Sequence, residues 1–103
     1  MNISFLFTYN PRLKINLPNQ EIILSHYSSK EQQSILSFWE KCRGNIPELI
    51  KAIEININEK QEALSNEDEF EKSCQLNEEI AELASKINDL WLWYRTQPLI
   101  TDK

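Results

Sequence analysis

The first 25 residues alternate apolar and polar positions with period two: Ile3, Phe5 and Phe7, then Leu13, Ile15 and Leu17, then Ile22 and Leu24. Alternation of this kind marks strands with one buried face. The breaks carry turn chemistry. Asn10-Pro11-Arg12 and Pro18-Asn19 set a proline where its fixed φ begins a turn, with asparagine beside it to accept unusual backbone angles. The pattern predicts a three-stranded antiparallel meander over 3–8, 12–17 and 21–25. Leu6 and Ile23 fall on its opposite face.

Beyond Ser28 the period lengthens. Ser28 and Ser29 precede Glu31 and Gln32 at capping-box spacing, in which a hydroxyl accepts from the backbone three residues on and the longer side chain reaches back. Ile35, Phe38, Trp39 and Cys42 then form one helical stripe, and Gly44 stands where a left-handed helix cap is wanted. Helix one is expected over 28–44. Asn45-Ile46-Pro47-Glu48 restarts a helix, with Asn45 as N-cap and proline in the first turn.

Helix two, about 46–64, carries Ile46, Ile50, Ile53, Ile57, Lys60 and Leu64 at alternating spacings of 4 and 3, a heptad seam of the coiled-coil kind. Ile53 to Asn58 also alternates strictly, as a strand would, but the seam continues past that stretch. Ser65-Asn66-Glu67-Asp68-Glu69 reads as the next cap, with acids placed against the positive end of a helix dipole. Helix three then runs to about 96, where Pro98 stops it. Leu76, Ile80, Leu83, Ile87, Leu90 and Tyr94 form its seam, and Cys74, Asn77, Ala81, Ala84, Asn88 and Trp91 lie beside it as a stripe of mostly small residues.

Two seams joined by a short turn predict an antiparallel helical hairpin over 45–97. At 1.5 Å per residue helix three should be about 45 Å long and helix two about 28 Å, leaving roughly 16 Å that projects. That end holds Leu90, Trp91, Leu92, Trp93 and Tyr94, which point around the whole helix. Helix one, with Phe38 and Trp39, and the sheet are the cover available within the chain. The fold class expected is α+β: a 1–27 meander, helix one and the hairpin in one domain over 1–97, with 98–103 as a tail.

The composition agrees with few connections. A chain of 103 residues with 41% apolar and 26% charged residues can bury one core, and one glycine is too few for a protein built from tight loops. The net charge of −5 disfavours direct nucleic-acid binding. Residues 66–90 hold eight acids and two bases, a local −6. Such a run is ordinarily a solvated helix face; its sharper reading is a docking surface for a basic partner. No apolar run nears the roughly 20 residues of a membrane span, and no signal sequence opens the chain, so a cytoplasmic protein with reduced cysteines, buried or half-buried, is expected.

Chemistry is sparse. His26 is the one histidine, and neither Ser25 nor Cys42 acquires from sequence a base held by a third group. Three Cys and His residues, all isolated, do not make a zinc site, and Glu78 with Glu82 at i and i+4 is ordinary solvated surface. One glycine excludes the dinucleotide fingerprint and the phosphate loop. Helix one and helix two do not suit a helix-turn-helix, because the second is net acidic. No catalytic residue, metal or cofactor is expected.

By elimination the chain is expected to be a non-enzymatic protein-protein interaction module, an adaptor, assembly factor or regulator. Its partner-binding residues would be Trp39, Trp91, Trp93 and Tyr94, and the aromatic end suits a homodimer or another protein. The alternative is an acidic inhibitor that mimics nucleic acid, presenting Glu67, Glu69, Glu71, Glu78, Glu79 and Glu82 to a basic groove.

Overall fold

The computed structural model describes residues 3–100. It is an α+β fold with four short strands and three helices: β1 (Phe7–Asn10), β2 (Ile15–Pro18), β3 (Ile22–Ile23), α1 (Ser29–Gly44), α2 (Ile46–Ser65), α3 (Phe70–Arg95) and β4 (Leu99–Ile100). Strands β1 and β2 form an antiparallel hairpin with Phe7 opposite Pro18 and Asn10 opposite Ile15. The turn between them is a single helical loop. Asn10 Oδ1 accepts from the Leu13 amide at 2.9 Å, Asn10 O accepts from the Lys14 amide at 2.6 Å, and Lys14 closes the loop at φ 63°.

The expected three-stranded meander does not form. Residues 4–6 wind into a 3-10 turn, so Leu6 packs on the core while Phe5 is turned out. The third segment keeps its alternation, with Ile22 and Leu24 buried, but it leaves the hairpin. Asn19 explains the departure: its amide donates to Leu6 O and its Nδ2 to Phe5 O, which pins the chain to the start of β1 and turns it away from β2. Thr8 also reaches the Asn19 side chain. Strand β3 pairs in parallel with β4 instead, Ile22 beside Leu99. The segment after Pro98, read from sequence as a tail, thus supplies a strand through residue 100, and Leu99 is a core residue. Residues 101–103 lie outside the described residues.

Ser28 caps α1 with the full capping box: its Oγ accepts from the Glu31 amide and Glu31 Oε1 accepts from the Ser28 amide. The far end differs from expectation. Gly44 has no positive φ, and Asn45 stays in the right-handed helical region without a side-chain cap, so α1 and α2 make one long bent helix. The bend belongs to Pro47, which has no N–H to donate to the carbonyl of Arg43.

Helices α2 and α3 fold back on each other along the two seams. Helix α3 starts at Phe70 rather than near 66, because the polar residues expected to open it close α2 instead: Ser65 Oγ donates to Gln61 O and Asn66 Nδ2 to Glu62 O. With 20 residues in α2 and 26 in α3, the excess length is about 9 Å, smaller than expected.

Most of the interior lies in two apolar clusters at the sheet end, with Leu83 of α3 buried outside them. One gathers Phe7, Ile22, Leu24, Ile35, Trp39, Cys42 and Leu99; the other gathers Leu13, Ile15, Ile46, Ile50 and Leu90. Trp93 and Leu17 pack against both. Neither cluster takes a residue between Ile53 and Ile87, so the outer part of the hairpin projects. The molecule measures 61 × 24 × 19 Å, and its radius of gyration of 18.2 Å exceeds the roughly 13 Å of a compact chain this long.

Candidate interaction surface

The candidate partner-binding residues separate into core and surface. Trp39 lies on the buried stripe of α1 and is 1% exposed, which removes it from contact with a partner. Trp93 is half-buried and meets Trp39 edge to face, with ring centroids 6.0 Å apart. Phe7 stacks on Trp39 from the sheet side at 6.5 Å. These rings cover one another as sequence suggested they must, and they are structural.

Trp91 is exposed, while Tyr94, three residues on along the same side of α3, is half-buried and packs against the second cluster. Their rings meet edge to face with centroids 5.4 Å apart. The Arg43 guanidinium sits 4.5 Å from the Tyr94 ring centroid, and Arg43 Nε donates to Tyr94 O at 3.0 Å. One arginine from the last turn of α1 thus satisfies an end carbonyl of α3 and holds the aromatic pair in place. Trp91 is 37% exposed and Leu92 47% exposed beside it. Leu92 belongs to the aromatic end that the sequence points to, whereas Arg43 does not; a basic residue in the last turn of a helix is the signal that marks Arg43.

The acids of α3 differ in their partners within the chain. Arg12, carried on the β1–β2 turn, donates from Nε to Glu82 at 2.9 Å, from Nη1 to Asp89 at 2.7 Å and from Nη2 to Ser85 Oγ at 2.9 Å. Those hydrogen bonds, Asp89 first and then Glu82, raise the guanidinium pKa. Lys60, the polar member of the α2 seam, donates to Glu79 Oε1 at 2.8 Å, and Gln75 donates to its other oxygen at 3.1 Å. Both lower the Glu79 pKa, Lys60 the more. Three of the six candidate acids therefore have cations within the chain: Glu79, Glu82 and, at 3.7 Å from Lys72, Glu69. Glu67 accepts from the Glu69 amide, and Glu71 and Glu78 are exposed.

Other chemistry is not assembled. Burial pushes the Cys42 thiol up, the opposite of what a nucleophilic cysteine requires. Cys74 is exposed, contrary to expectation, and both thiols are free. His26 is exposed at the end of a 3-10 turn, beside an open hollow of about 380 Å³ lined also by Phe5, Glu21 and Tyr27. Among the described residues no group of three or more His, Cys, Asp or Glu could hold a metal ion, and no helix is long and apolar enough to cross a membrane. Compared with protein-family models, curated proteins and solved structures, the chain has no significant match.

Proposed function

We propose that this chain is a non-enzymatic protein-protein interaction module, an adaptor, assembly factor or regulator, that binds through the aromatic end of α3. The observation that carries the reading is the Trp91–Tyr94 pair. It is held rigid by Arg43 and flanked by Leu92, while the other two tryptophans are used in packing. Tryptophan, tyrosine and arginine are the residues whose burial dominates interface energy, and a preset pair loses little entropy on binding. A second copy of the chain is the first partner to test, since twofold dimers are the commonest assemblies.

The test is sedimentation of the wild type and Trp91→Ala at about 50 µM, within the range where dimers of modest interface area associate. A wild-type dimer that Trp91→Ala converts to a monomer supports self-association through this end. A wild-type monomer excludes the homodimer. The aromatic end then stands only if a purified complex with another protein loses its partner in the Trp91→Ala variant, and retention of that partner refutes it.

A further inference from the structure

Among the described residues, charge pairing in the hairpin leaves Glu48, Glu54, Glu59 and Glu78 without a cation singly along the helices, and gathers four more unpaired acids at one turn. In the body of α3, Glu79 is matched by Lys60, and Glu82 and Asp89 by Arg12. At the turn between α2 and α3, Glu62, Glu67, Asp68 and Glu71 have no cationic partner among the described residues, and Lys72 reaches Glu69 alone. In the midst of these acids stands Phe70, the first residue of α3 and, at 80% exposure, the most exposed of the large apolar side chains described.

Phe70 has no intramolecular task. A hydrophobic staple uses the residue before a helix cap, whereas Phe70 follows the cap residue Glu69. The seam passes it by, running from Leu64 across to Leu76 and Ile80. Neither core cluster extends to this end of the molecule. A phenylalanine exposed this far, inside an acidic ring at the tip of a 61 Å molecule, has the form of a plug.

We propose that the α2–α3 turn is a second interaction surface, separate from the Trp91 end, in which Phe70 enters an apolar pocket bounded by lysine and arginine side chains on a different protein. Glu67, Asp68 and Glu71 face that basic rim. The charge selects the class of partner. An acidic tip is repelled by phosphate backbones and anionic headgroups, and two copies of the same tip repel each other. A protein pocket with a basic rim both covers the ring and neutralises the acids.

The test replaces Phe70 in the full chain with photoreactive benzoylphenylalanine, irradiates it in native lysate and sequences the cross-linked peptide. The expected result is one heterologous protein joined at a site flanked by lysine or arginine. Its yield should fall about tenfold when Glu67→Gln, Asp68→Asn and Glu71→Gln are combined, as for rim charges that steer association. Trp91→Ala should leave this adduct unchanged, which separates the tip from the aromatic end. All these side chains lie at the surface of the turn or the exposed face of α3, and far-UV circular dichroism verifies that each variant is folded. No adduct, an adduct only with a second copy, a joined site without basic neighbours, or a yield indifferent to the three charge changes overturns the proposal.

Discussion

The one glycine of the chain and the one left-handed residue among the described residues are at different positions. Gly44 has no positive φ, and a Cβ built there meets nothing within 4 Å. It therefore carries the entropic penalty of glycine in a helix without using its freedom. Gly44→Ala is expected to stabilise the fold by about 0.5–1 kcal/mol, measured as a higher urea midpoint at unchanged slope. Lys14 is the converse case, with φ 63° at the end of the β1–β2 turn. That angle lets the chain reverse between Leu13 and Ile15, both of which are buried in the second cluster. Lys14→Gly removes the clash of Cβ with the backbone, offset in part by the greater freedom of the unfolded chain. A net gain of about 0.5 kcal/mol is expected, and a loss would show that the lysine side chain does something at the turn beyond occupying it.

The α2 seam carries one polar residue among apolar ones. Lys60 reaches Glu79 across the interface and draws its pKa below the ordinary 4.5. A carboxylate whose folded pKa is lowered contributes stability that is present above its unfolded value and lost as pH falls through the folded one. The melting temperature is therefore expected to drop on acidification below pH 4.5, and Lys60→Met should make that drop shallower. An identical acid profile in the variant would remove the pair from the stability of the hairpin. Helical elements were legible because their signals repeat: α2 and α3 each show the 4-3 spacing over several turns, and the Ser28–Glu31 box marks the start of α1. The partner of β3 was not legible, because two residues in length carry no register and alternation reports burial without naming the neighbour. The start of α3 was misplaced because Ser65 and Asn66 can serve either end of a helix, and only their bonds to Gln61 and Glu62 decide. At the site, sequence located the aromatic end but not its outward side. Trp91 to Tyr94 circle the helix, and which of them is covered depends on where α1 and the sheet come to lie.

Across the whole molecule, stability is concentrated at one end while both candidate surfaces lie at its margins. The two clusters meet at Trp93, which packs against each of them and touches Trp39 edge to face. Removing that ring opens space on both sides at once. The clusters on either side draw on all four strands as well as α1 and α2, and cannot collapse together to fill it. Trp93→Ala is expected to cost about 3 kcal/mol or more, within the range of aromatic truncations in cores. For a chain whose total stability is about 5–15 kcal/mol, that is a large share. Trp91→Ala, at a partly exposed site two residues earlier, should cost under about 1 kcal/mol. Urea unfolding followed by far-UV circular dichroism separates the two, and the contrast has a consequence for binding. Lost binding in a Trp93 variant reports a damaged core, whereas lost binding in Trp91→Ala at near-native stability reports the interface itself. Equal destabilisation by the two substitutions would mean that Trp91 is also a structural ring, and the Trp91–Tyr94 pair would then lose its standing as a surface kept for a partner.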